Sequence, residues 1–191
     1  MQTTIAQKAQ FRGVGLHSGA AVRLAILPAP ADHGIVFVRT DLDRARIPAR
    51  WDRVTPSQLC TLLDNGQGAT VSTVEHVMAA LAGTGIHNAV VEVNGPEVPI
   101  LDGSAAPFVQ GILEAGLRQQ PHAPLRAIRL LRPVEVQMGE GFARLSPADH
   151  LEIHFDIDFT DAAIGHQEKR LDMANGSFVH ELMDSRTFCR Q

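Results

Sequence analysis

No run of this 191-residue chain approaches the ~20 consecutive apolar residues that a helix needs to cross a bilayer. The amino terminus, MQTTIAQKAQF, lacks the hydrophobic core of a secretory signal. These absences predict a soluble protein without a transmembrane segment, remaining in the cytoplasm where it is made. Cysteine is scarce. Cys60 and Cys189 lie far apart and form no CxxC pair, which argues against a disulfide framework and an all-cysteine zinc site. An excess of one charge is missing as well. The net charge is −4 and the basic residues are scattered, so neither nucleic acid nor an anionic membrane is an expected partner. The sequence has no obvious repeat and no low-complexity tract, and a monomer is the expectation.

What is present suits a globular protein: 45% apolar and 20% charged residues, in a length that allows one domain or two small ones. In AVRLAIL, Val22, Leu24 and Ile26 alternate with Arg23 and Ala25, the period-two signature of a half-buried strand. IVFVRTD and NAVVEVNG read as further strands, and PAPADHG and NGQGA as turns. A helix is predicted from about Ala106 to Leu117. The polar stretch RQQPHAPLR has two prolines and suits a linker, placed at 121–125. Strand patterns resume with AIRLLRPVEVQ, GFARLSP and HLEIHFDIDF, and a short helix is expected over Ser177–Met183. In HLEIHFDIDF, Leu151, Ile153, Phe155, Ile157 and Phe159 share one face. The expected fold class is α+β, with a first domain over 1–120 and a partial second domain over 126–191. Each is an antiparallel sheet with helices on one side.

The most informative stretch is STVEHVMAAL, Ser72–Leu81. Ser72 followed by Glu75 matches a capping box. At 100° per residue, Val74, Val77, Met78 and Leu81 form the core stripe, while His76 points nearly the opposite way. Ala79 and Ala80 flank His76 and would leave room for close approach. A capping glutamate and a surface histidine account for the same pattern. One histidine is a weak metal signal, since a catalytic zinc takes three protein ligands, and HExxH is absent.

Other motifs resolve toward structure. GVGLHSG lacks the spacing of a dinucleotide fingerprint and precedes a strand, so it reads as a glycine-rich turn. Ser104 in LDGSAAPF lacks the G-x-S-x-G context of a nucleophile. Asp102 or Ser104 is the expected helix cap. The acidic face of HLEIHFDIDF reads as a solvated sheet face rather than a cation site. Cys60 reads as a small buried apolar residue.

Together, GVGLHSG, STVEHVMAALAG, NGPEVPILDGSAAPF and SRTFC resemble the zinc-dependent UDP-3-O-acyl-N-acetylglucosamine deacetylases of lipid A biosynthesis. The resemblance runs from near residue 3 to about residue 189. It implies a Zn²⁺-dependent amide hydrolase acting on a UDP-linked, acylated glucosamine. It implies His76 as a metal ligand and Glu75 as the catalytic base. It implies Thr187 as an oxyanion stabiliser, with Leu16, His17, Cys60 and Phe188 along the substrate cleft. It further implies two α+β domains with the site between them.

The family's other two ligands come from an H-K-x-x-D motif, which this sequence lacks. The chain ends at RTFCRQ, so the second unit is expected to be incomplete. A catalytically inactive fragment or pseudoenzyme is the alternative expectation.

Overall fold

The structure, a computed structural model, describes residues 1–174 and 176–186. The chain folds as two compact units. The first comprises Met1–Leu125 and the stretch from Phe178, and the second is Arg126–Ser177.

In chain order the first unit has strands β1 (Gln2–Ile5), β2 (Ala9–Val14), β3 (Ala21–Pro28), β4 (Ile35–Arg39), β5 (Ala45–Pro48), β6 (Val54–Thr55), β7 (Leu62–Asp64) and β8 (Thr70–Ser72). Helix α1 (Glu75–Gly83), strand β9 (Ala89–Val93), helix α2 (Ala106–Ala115) and strand β10 (Leu117–Gln120) follow. The main sheet runs β2-β3-β9-β4-β5. Its pairs are antiparallel except β4 with β9, which is parallel. That one parallel pair departs from the all-antiparallel expectation. It follows from the connection: the chain between β4 and β9 crosses over through α1, and only a crossover permits parallel pairing. A second sheet runs β6-β7-β8, and β1 pairs with β10.

The alternation in β3 survives into the fold. Val22, Leu24 and Ile26 are buried and Arg23 is exposed. Central β9 buries Ala89, Val91 and Val93 completely. At nine and ten residues, α1 and α2 are too short to persist alone in water. Packing therefore holds them. Helix α2 buries Phe108, Val109 and Ile112, each worth about 1.5–3 kcal/mol relative to exposure. Phe108 meets Phe11 of β2 at 4.9 Å between ring centroids. A Cβ at Gly111 would lie 2.7 Å from that Phe11 ring, so glycine is what lets β2 and α2 approach. Helix α1 buries Val77, Ala80 and Leu81 and touches α2.

The short helix expected at 177–183 is a single wide turn, Phe178–Leu182. It belongs to the first unit. Phe178 is buried, its ring covers Gly83 where any Cβ would overlap it, and the Met183 carbonyl accepts the Ala105 amide at 3.0 Å.

The second unit consists of two hairpins, β11 (Val134–Met138) with β12 (Gly141–Leu145), and β13 (Glu152–Asp158) with β14 (His166–Asp172). The strand expected from Ala127 starts only at Val134, immediately after Pro133, which has no amide hydrogen to give a ladder. The polar face of β13 is tied to β14 by ion pairs such as His154–Glu168 at 2.8 Å and Asp156–His166 at 3.8 Å. The apolar side chains are largely exposed, Met138 by 87% and Phe155 by 53%, with Leu171 of β14 the exception. Two-stranded hairpins without a covered apolar face are marginal in water.

Limited trypsin digestion is expected to cut first at Arg126, Arg129 or Arg132, where Ile128 and Leu131 are exposed and no strand forms. It should leave a resistant fragment ending at Arg126. A chain as resistant beyond Arg126 as before it would contradict this.

Candidate active site at the start of helix α1

The capping box does not form. Strand β8 ends at Ser72, which is engaged with the segment ahead of it. Its amide donates to the Pro96 carbonyl at 2.8 Å, its hydroxyl donates to the same oxygen at 3.2 Å, and its carbonyl accepts the Val98 amide. Thr73 then takes a left-handed φ of +58°, and Val74 rather than Ser72 flanks the first helical residue. A side chain fixed in a strand pairing cannot also fold back over a helix terminus.

Glu75 is consequently free of the capping role. It is exposed, and its Oε1 accepts the amide of Thr61. The Thr61 carbonyl in turn accepts the Thr73 amide at 3.1 Å. These bonds dock the 56–61 loop on the start of α1 and bring Cys60 beside it. Cys60 is half-buried, with its Sγ 3.2 Å from the Ser57 hydroxyl. It is therefore not the buried apolar residue that composition suggests.

His76 is half-buried. Val74, Val77 and Leu81 are buried as the stripe requires, and Met78 only half so. Ala80 corrects the helical-wheel reading. It is fully buried, so its small size serves packing and does not leave open surface next to His76. Ala79 stays half-buried.

The GVGLHSG segment is the turn between β2 and β3, with Leu16 and His17 exposed. Sequence reasoning passed over the residue that holds it. Glu97, 2% exposed, accepts the His17 amide at 2.9 Å, the Ser18 amide at 2.9 Å and the Ser18 hydroxyl at 2.6 Å. From the other side it accepts the Thr73 hydroxyl at 3.1 Å. Burial alone would raise the carboxyl's pKa, but these donors, the His17 amide foremost, hold it below the ordinary glutamate value. A lone acid between Pro96 and Val98-Pro99 was the available signal.

Ser104 is fully buried and not a nucleophile. Its hydroxyl donates to Asp102 at 2.8 Å and accepts the Ala106 amide, the first of α2, at 3.1 Å. Neither is the N-cap, which is Ala105 and makes no side-chain capping bond; Ser104 serves the first helical amide from one residue earlier, and Asp102 holds Ser104 rather than the helix. The Ser104 hydroxyl foremost, with its amide and Arg186 at 3.4 Å, holds the Asp102 carboxyl below its ordinary value against the opposing effect of burial. Thr187 and Phe188 lie outside the described residues.

A metal at His76 would need further donors. Among the described residues, the one group of three or more metal-type donors is His154, Asp156 and Glu168, all exposed, on β13 and β14. The β13–β14 register, with Asp156 opposite Glu168, and the cross-strand pairs His154–Glu168 and Asp156–His166 account for their closeness. The donor set around His76 therefore does not by itself make a three-ligand zinc site.

The depressed Glu97 pKa fixes the sign of a pH effect. The contribution is complete above the unfolded value of about 4.3 and disappears as pH falls through the lower folded value. Glu97→Gln should cost about 1–3 kcal/mol at pH 7, because buried donors lose their acceptor. The gap between wild type and variant in urea midpoint should narrow as the pH is lowered below about 4.3. A gap independent of pH would contradict the assignment.

The profile of the family described as LpxC, UDP-3-O-acyl N-acetylglycosamine deacetylase, matches residues 2–191. Three proteins named UDP-3-O-acyl-N-acetylglucosamine deacetylase align with 98% of the chain. The protein from Phenylobacterium zucineum (strain HLK1) is 51% identical, and the alignment covers 64% of its length. Those from Anaeromyxobacter sp. (strain Fw109-5) and Shewanella sp. (strain W3-18-1) are 50% and 45% identical, with 61% and 62% of their lengths covered. The chain thus spans less than two thirds of the length of these curated relatives. The matched span includes the β2–β3 turn, helix α1 and the Glu97–Phe108 stretch, and the chain belongs to the UDP-3-O-acyl N-acetylglycosamine deacetylase family.

Proposed function

We propose that this chain carries the N-terminal part of a zinc-dependent deacetylase. Its reaction is hydrolysis of the N-acetyl group of a UDP-linked, 3-O-acylated glucosamine, the committed step of lipid A biosynthesis, in the cytoplasm. The observation that carries the reading is the adjacent pair at the start of α1. Glu75 is exposed and His76 half-buried beside it, within a chain half identical to named deacetylases.

In this reading Glu75 is the general base. An exposed carboxylate on the first helical turn meets water directly, and it can take a proton from the attacking water and return one to the leaving amine. His76 is one metal ligand. Leu16, His17, Cys60 and Phe188 are the proposed substrate-binding residues, and Thr187 is the proposed oxyanion stabiliser. Among the described residues no further metal-type donors gather at His76, so the metal's remaining ligands would have to come from elsewhere.

That same shortfall favours a second reading. The 191-residue chain alone is a catalytically inactive fragment that keeps part of the substrate surface. The two readings make one joint prediction. The chain alone, assayed with and without Zn²⁺, should release no acetate above background. A chimera joining it to the C-terminal portion of the Phenylobacterium zucineum relative should turn over. His76→Ala in that chimera should lower turnover at least ~100-fold, with an unchanged melting temperature. A chimera indifferent to His76→Ala would refute the assigned ligand.

A further inference from the structure

Glu97 is the one fully buried carboxylate among the described residues, and it sits between two chain segments of the candidate site. Three of its donors come from the β2–β3 turn, 79 and 80 residues away in sequence. The fourth comes from Thr73, 24 residues away and two residues ahead of Glu75. The backbone repeats the tie on the helix side, where Ser72 bridges Glu97 in parallel. Gly15 has no room for a side chain, since a Cβ there would overlap Glu97 Oε2 and Ser18 Oγ. The turn is therefore wrapped tightly around the carboxylate.

Two strained or exposed elements are stabilised by this one group. Thr73 holds a left-handed backbone that a β-branched residue adopts only at a cost, and its hydroxyl is anchored by Glu97. Leu16 and His17 project from a loop whose amides would otherwise be free to move. A carboxylate accepting charge-assisted bonds from both sides fixes the spacing between them more sharply than neutral contacts would.

The geometry points to Glu97 as the positioning residue that sets the Leu16–His17 turn against the start of α1, so that the turn, Glu75 and His76 face a substrate in one register. The assignment rests on the reading of Glu75 and His76 as site residues. Glu97 acts through Thr73 and the turn amides and touches no substrate itself.

The test is solution NMR on the isotopically labelled 191-residue chain, with neither metal nor substrate. In Glu97→Gln, the His17 and Ser18 amides should exchange with solvent about tenfold faster or more. The amide resonances of Glu75 and the ring resonances of His76 should shift. The amides of Val91 in β9 and Ile112 in α2 should keep their protection. Thr73→Val removes only the helix-side donor. It should shift Glu75 and His76 while leaving the His17 and Ser18 exchange rates near wild type, and it decides the matter if the Gln variant does not fold. The inference is overturned if Thr73→Val leaves Glu75 and His76 unmoved. Equally it is overturned if Glu97→Gln accelerates Val91 and Ile112 as much as His17 and Ser18, the mark of a merely global loss. Failure of the deacetylase reading would show instead in acetate release from the chimera, which this experiment does not involve.

Discussion

A carboxylate buried from water stays ionised only if hydrogen-bond donors are brought to it. Glu97 meets that requirement with donors from two distant segments. The consequence spreads outward. The β2–β3 turn must close with Gly15 against the carboxylate. Strand β8 must lie beside the Pro96–Val98 segment. Thr73 must turn left-handed to aim its hydroxyl inward. With those three conditions met, α1 begins at Glu75 and not at Ser72. The side chain that sequence reads as a cap is left on the surface, where it holds the Cys60 loop through Thr61. One buried charge thus decides where the helix starts, and the helix start decides what Glu75 and His76 can reach.

The rest of the first unit serves as a frame for that arrangement. Helices as short as α1 and α2 depend on the apolar surface they bury, and both are packed closely enough that glycine is obligatory at the contacts. Gly111 admits Phe11, and Gly83 admits Phe178. The second contact matters to the site. It attaches the Phe178–Leu182 turn to α1, and Arg186 beyond it reaches Asp102. The chain leading toward Thr187 is therefore fastened to the same unit as Glu75 and His76. The 126–177 unit differs in kind. Its strands pair well, but most of its apolar side chains, Met138 and Phe155 among them, are exposed. Relatives half identical to this chain are substantially longer.

Much of the local structure was legible in the sequence. The alternation in β3 and β13, the glycine-rich turn after Val14 and the helix over Phe108–Ile112 all follow from periodicity and turn chemistry, and each forms close to where expected. What the sequence concealed depends on long-range partners. Strand β14, HQEKRLD, has no apolar alternation and is a strand because its charges pair across to β13. The parallel pairing of β4 with β9 is set by a crossover fifty residues long in scale, not by either strand's composition. Glu97 is one acid in a proline-rich loop until its donors are known. Glu75 and His76 stand out in the sequence as polar neighbours on an otherwise apolar helix, but the capping box drawn from Ser72 is a local pattern overruled by its pairing with Pro96 and Val98.

The proposed function makes this chain one wall of a metal site, with His76 as the one ligand among its described residues. The most direct test is metal analysis of the purified 191-residue chain, washed with chelator and then exposed to one equivalent of Zn²⁺ and desalted. The account predicts zinc far below one per chain, lowered no further by His76→Ala. One tightly held zinc per chain would contradict it.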